Sequence, residues 1–348
     1  MTRTNHFSPG WAAGLRLLAL LALPAAGRPL AAAAPADFYL CAALNKGYVT
    51  GSKITTLSGL FRRDGTGAWQ HIGYNDLSIA AAAFDPRDPK VIYTAALNGC
   101  WRSLDGGKTW RQTNGWDITE GRDVAVDPHY PDHVYLALPD GVAVSADRAQ
   151  TWVRRENGLP DRGKYTQTIK VDRAHAGRVL AGCESGIYLT ENGAKSWRRV
   201  LPTAATVDDI QQAWNDPRQW AAVTQSDGAW ASIDGGVTWK RFPGVPADHA
   251  LYNLTFDPTN QRRLAIASWH YGVLTTEDSG ATWTSRNAGL PEPHRVARVG
   301  VDPNTGRLYA SVVNDSLYTS DDFGRTWRRS ALEGSVINNF ITVPGPAK

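Results

Sequence analysis

The sequence predicts an all-β fold, a seven-bladed β-propeller of four-stranded blades closed by a C-terminal strand that joins the N-terminal blade. Three observations predict it. A phrase of the form Ser/Thr-x-Asp-x-x-x-Thr-Trp recurs along the chain, its closing tryptophans stand one blade apart, and a second phrase, Asp-Pro, keeps nearly the same step. Composition agrees: 14 Trp, 33 Gly and 20 Pro beside a single Met suit short strands broken by turns. Rings pack on pleated surfaces, whereas Gly and Pro interrupt helices.

The first copy of the phrase runs from Ser103 through Asp105 and Thr109 to Trp110. It returns at Ser145, Asp147, Thr151 and Trp152, and at Thr190, Asn192, Ser196 and Trp197. Three further copies carry Asp234, Asp278 and Asp322, and a worn one precedes them all at Asp64. The closing tryptophans 69, 110, 152, 197, 239, 283 and 327 are separated by 41, 42, 45, 42, 44 and 44 residues. Four short strands with their turns need roughly 40 to 45 residues. The second phrase stands at Asp85, Asp127, Asp172, Asp216, Asp257 and Asp302, and only Asp172 lacks the following Pro.

Each unit divides into strands by its apolar runs. In one unit these are 124–126, a turn at Asp127, 134–138, a turn at Asp140 and Gly141, and 142–144, after which the box leads to Trp152. No such unit buries both faces alone, so the units must stack around an axis. The segment from Phe38 to Asn45 resembles the second strand of a blade, and 336–343 resembles a first strand with no blade after it. Joining them gives one composite blade, with the C-terminal strand innermost, and leaves no open sheet edge.

Residues 1–36 read as an export signal: Arg3, an apolar run at 17–23, then small residues ending at Ala36. That run is too short to span a bilayer. The expectation is a periplasmic or secreted protein whose residues 37–348 form a single propeller, with no transmembrane segment once the signal is removed. Of 37 basic residues, Arg3, Arg16 and Arg28 leave with the signal, and 34 remain against 33 acidic ones. So small an excess lacks the footprint of a nucleic-acid binder. Cys41, Cys100 and Cys183 read as small buried hydrophobes, with a bridge such as Cys41 to Cys100 as the alternative.

The box aspartates Asp64, Asp105, Asp147, Asp234, Asp278 and Asp322, with Asn192 in their place once, read as turn residues. Their side-chain oxygens accept backbone N–H groups in the hairpin between third and fourth strands. The adjacent pair Asp321 and Asp322 invites an acid–base reading, but its place in a box favours turn chemistry.

With these phrases the chain resembles the Asp-box propellers, which include sialidases, xyloglucanases, sortilin-type domains and the photosystem II stability/assembly factors. The resemblance covers 38–346. The Arg-Ile-Pro motif of the sialidases does not occur, and xyloglucanases of this type join two propellers where one fits here. Single seven-bladed exported members are most similar to the assembly-factor family. That resemblance implies a propeller that binds protein partners and carries no catalytic motif. No cofactor or metal is expected.

The boxes and Asp-Pro turns share one rim, so binding is expected on the other, among loops joining blades and turns between second and third strands. Its candidates are Tyr48 in the insertion 46–58, Trp116, Arg122, Tyr165, Trp269, His270, Tyr271 and Arg295. His249, His270 and His294 lack metal-ligand spacing. Counting back four residues from each Asp of the second phrase gives Ala81, Asp123, Thr168, Asn253 and Arg298, with Gln212 and Asn339 as the remaining positions of a polar axis. The expected partner is another exported or membrane-attached protein. The alternative is a carbohydrate, bound or hydrolysed, with Asp123 as the acid and Glu120, Glu184, Asp208 or Asp209 beside it.

Overall fold

The computed structural model describes residues 35–44 and 57–345. They form seven four-stranded antiparallel sheets. The export segment and Tyr48 lie outside the described residues. Blade one is composite, ordered Ser335–Val343, Asp37–Leu44, Gly59–Arg63 and Trp69–Ile72. The other six follow in sequence, with innermost strands Ala81–Asp85, Asp123–Val126, Thr166–Val171, Val207–Gln212, Leu251–Phe256 and Val296–Val301.

The seam is as the chain ends suggest. Ser335–Val343 runs antiparallel to Asp37–Leu44, from the pair Asp37 and Val343 to the pair Leu44 and Ser335. Phe38 stacks on Phe340 with centroids 5.7 Å apart and planes 7° from parallel. Arg63 pairs with the buried Asp302 of blade seven, and Asn304 exchanges two hydrogen bonds with the main chain of Ala36 at 2.9 and 2.7 Å. Blade one is thereby fastened to its neighbour by packing, charge and backbone together.

Burial follows position in the blade. The second and third strands of blade three, Val134–Leu138 and Gly141–Ser145, are buried at every residue, while Val153–Arg154 on the outer edge is not. Their apolar residues face neighbouring blades on both sides, which accounts for near-continuous hydrophobic runs where a one-sided sheet would alternate. Cys41, Cys100 and Cys183 sit unpaired in this core. The bridge held open as an alternative is absent, and burial pushes the Cys100 thiol up to about 12.

Each box is a closed hydrogen-bonded unit. In blade seven, Asp322 Oδ1 accepts the Thr326 N–H at 2.9 Å and the Ser320 hydroxyl at 2.7 Å, while Oδ2 accepts the Thr326 hydroxyl at 2.6 Å. Asn192 keeps the pattern with a neutral group, accepting the Ser196 N–H at 3.0 Å and donating to its hydroxyl at 2.9 Å. At Asp105 the N–H and hydroxyl of Thr109 hold the carboxyl down at about 2. The leading Ser or Thr is a second hub: buried Ser320 accepts the Gly324 N–H at 2.7 Å. Gly324 has φ +87°, in the left-handed region. Trp197 and Trp327 then donate their indole N–H to Arg155 and Arg286 of the preceding repeat, each at 2.8 Å.

Ser320→Ala removes the acceptor of a buried N–H without adding volume. It should cost about 1–3 kcal/mol, read as a lower urea midpoint at unchanged slope. An unchanged midpoint would contradict the hub.

Candidate functional site

The axis of the ring is lined by the innermost strands, and their local geometry decides which side chains reach it. Pairing to the second strand slips between Thr166 and Thr168, Val207 and Asp209, Leu251 and Asn253, and Val296 and Arg298. The extra residue of a bulge re-aims side chains that regular alternation would send to one face. In blade five two successive carboxyls, Asp208 and Asp209, therefore line the axial cavity.

Several axial side chains stitch one blade to the next. Asp123 Oδ2 accepts the Ile169 N–H and the Thr168 hydroxyl, both at 3.0 Å, and the Lys170 ammonium at 2.6 Å. Its Oδ1 accepts the Val124 N–H at 2.9 Å. Asp209 Oδ2 accepts the Leu254 N–H at 3.2 Å. Asn253 accepts from Val299 N–H at 2.8 Å and donates to its carbonyl at 2.9 Å. Arg298 donates to the carbonyls of Asn338 at 2.7 Å and Tyr252 at 3.2 Å.

Two positions expected from the sequence are corrected. Ala81 is buried in the apolar core, and its neighbour Ala80 lines the cavity. Gln212 lies at the end of its strand and donates to Asp172 at 2.9 Å; Asp209 occupies the axial place. The cause is a displaced turn. Asp172, Asp257 and Asp302 each donate their N–H across the first turn, to Arg178, Arg263 and Arg307, and in blade five Ala213 does so, to Gln219. The Asp-Pro phrase there falls three residues late, at Asp216. Lys170, which sequence reasoning missed, shares a strand face with Thr168 two residues earlier, and that period was the available signal.

These side chains enclose a cavity of about 360 Å³ that includes Leu97, Gly121 and Arg122 in its lining and so reaches the rim of inter-blade loops. Burial pushes the Asp208 carboxyl up to about 7, with Arg298 opposing and Asp209 reinforcing the rise. Asp208 Oδ2 is buried with no hydrogen-bond partner among the described residues. Burial also raises Asp209, against the pull of Lys170. For Lys170 burial is outweighed by Asp123 and Asp209, which hold the ammonium above its ordinary value.

The remaining candidates fall into smaller groups. The Arg122 guanidinium lies 5.3 Å from the Tyr165 ring centre and 3.3 Å from Glu120. On blade six, Trp269 is 42% exposed, with Arg295 5.6 Å from its ring centre and Tyr252 edge-on at 6.2 Å. His270 stacks on His249 at 3.9 Å, and Tyr271 donates to Asp248 at 2.7 Å. His294 instead contacts Glu292 at 3.2 Å. Among the described residues no group of three or more His, Cys, Asp or Glu is placed to hold a metal ion. Trp116 stands alone, 92% exposed.

No family model matches the chain. It is 28% identical over 165 residues to the oligoxyloglucan-reducing end-specific xyloglucanase of Emericella nidulans, a match spanning 42% of this chain and 20% of that enzyme. Among solved structures, the GH74 xyloglucanase of Xanthomonas campestris aligns with TM-score 0.64 at 18% identity, over 87% of this chain and 55% of that one. The chain thus spans about a fifth of the curated relative and about half of that structure. YCF48 from Cyanidioschyzon merolae aligns with TM-score 0.57 at 18% identity, over 77% and 89% of the two chains. YCF48 bound to D1 peptide aligns with TM-score 0.56 at 18% identity, over 72% and 81%. These likenesses define the class as the seven-bladed propeller, shared by xyloglucanases and YCF48, and at such identities they establish the fold alone.

Lys170→Met leaves Asp123 without its counter-charge beside three neutral donors. The variant should lose about 3 kcal/mol of stability, and Asp123→Asn in the same chain should restore part of it. Urea unfolding of the two single variants and the double variant measures this coupling. Additive losses would contradict it.

Proposed function

We propose that this chain is an exported, non-catalytic binding or assembly propeller that engages a protein partner through the rim opposite the box turns. One observation carries the reading: Trp269, Arg295 and Tyr252 form an aromatic and cationic cluster on that rim, and Arg298 of the cavity wall bonds the Tyr252 carbonyl. Aromatic and arginine anchors of this kind supply most of the energy of protein interfaces. A structural neighbour of the same fold, YCF48, is bound to D1 peptide, which supports a peptide or protein partner. Export rests on residues 1–36, and no described helix is long and apolar enough to cross a membrane.

A second reading, a glycoside hydrolase or carbohydrate-binding propeller, is favoured by a different observation. The Asp208 carboxyl keeps its proton to about 7, as a general acid must. Asp123 does not suit that role, because both its oxygens are taken by backbone, hydroxyl and ammonium donors. An enzyme here would therefore work through Asp208.

Pull-down from the envelope fraction, run beside xyloglucan oligosaccharides and sialosides, separates the two. The expected result is a partner retained by the wild type and by the box variant Asp234→Ala. Trp116→Ala combined with Trp269→Ala should release it at unchanged melting temperature, and no sugar should be hydrolysed. Hydrolysis that disappears in Asp208→Asn would overturn the binding-only reading.

A further inference from the structure

The axial cavity has an unbalanced charge set. Its wall carries three carboxyls, Asp123, Asp208 and Asp209, and two cations, Lys170 and Arg298. The pair at its mouth, Glu120 and Arg122, adds one charge of each sign at 3.3 Å. Asp123 is matched by Lys170 at 2.6 Å. Asp209 is held by the Leu254 N–H and by the Gln211 amide at 2.9 and 3.1 Å. Arg298 gives its donors to main-chain carbonyls and forms no ion pair among the described residues. Asp208 is the remainder: a carboxyl facing a ligand-sized space, with one oxygen buried and unpartnered.

We propose that this cavity is a binding site for a small organic cation, an alkylammonium group, with Asp208 as its counter-ion. The geometry supplies what such a group requires. A single carboxylate in excess neutralises one positive charge, and an ammonium brings the N–H donors that Asp208 lacks. Asn253, Asn338 and Asn339 line the same space with further polar groups. A volume of about 360 Å³ admits a small molecule or one side chain. No multi-ligand metal cluster competes among the described residues.

Proton linkage follows. Beside burial, the groups that act on Asp208 are Arg298, which opposes the rise, and Asp209 on the same strand, which reinforces it. Lys170 and Asp123 line the same cavity from neighbouring inner strands, and the phenols of Tyr165 and Tyr252 are raised by burial and in part by the charge of Asp208. A carboxyl raised to about 7 is protonated in the folded state at pH values where the unfolded chain has already lost that proton. The contribution of Asp208 to folding stability therefore falls as pH rises from about 4 to about 7, and a bound cation reverses this by replacing the proton.

The test needs only the purified chain and so stands apart from the protein-partner reading. Calorimetric titration at about pH 8 with n-butylammonium, n-butanol and butyrate should show the ammonium alone binding. Asp208→Asn should weaken it about tenfold or more. That variant should melt no lower than wild type at about pH 8, since it removes an unpaired buried charge, so lost binding is not lost fold. For the wild type, moving from about pH 8 to about pH 6 should weaken binding about tenfold and release a proton on binding. An arm with Nα-acetyl-lysine methylamide assigns the source: binding there admits a protein side chain, and binding of butylammonium alone points to a free amine. Preference for butyrate, no heat with butylammonium at either pH, or equal affinity in Asp208→Asn would overturn the proposal.

Discussion

The ring depends on stitches that cross from one innermost strand to the next. A four-stranded blade has two apolar faces and no way to cover them, so it persists only while clamped between neighbours. Packing between blades is broad but unspecific in register. The side chains of Asp123, Asp209 and Asn253 add direction, because each binds a backbone N–H of the following blade, at Ile169, Leu254 and Val299. At the seam a related bond comes from the second strand of blade seven, where Ser311 accepts from Ile337 of the closing strand at 3.2 Å. A side chain that must reach across the axis cannot also be apolar, and the polarity of the channel is a consequence of how the blades are held.

That consequence connects stability to function. The carboxylates and amides that tie the blades together line the cavity, so its wall is held by the same bonds that hold the fold. Binding groups on such a wall lose little freedom when a ligand arrives. The opposite rim is built differently: there the box carboxylates turn inward on their own hairpins, as Asp322 does with Ser320 and Thr326, and leave few lone pairs for a ligand. The two ends of the ring are chemically distinct, with the open carboxyl of Asp208 at one and the saturated carboxylates of the boxes at the other.

Much of this was legible in the sequence where a single residue type does one job. The tryptophans at blade spacing mark the repeats, and the match of Phe38 to Asn45 with a second strand locates the seam that the backbone pairing displays. The axial positions Asp123, Thr168, Asn253 and Arg298 follow from counting within the strand. Blade five defeats the count because Asp216 lies three residues beyond the turn position held by Ala213, and a bulge invisible in sequence brings Asp208 in beside Asp209. Lys170 was hidden for another reason: an isolated lysine on a strand ordinarily marks a solvated face, and only the carboxylate from the next blade shows otherwise. Trp116 and Trp269 look alike in sequence, yet one stands alone and the other is framed by Tyr252 and Arg295.

Native-state hydrogen exchange tests most directly the claim that axial side chains clamp the blades. The amides of Ile169, Leu254 and Val299 should exchange only through global unfolding, in the slowest class of the protein. Exchange of these amides as fast as those of the exposed loop around Trp116 would contradict the account.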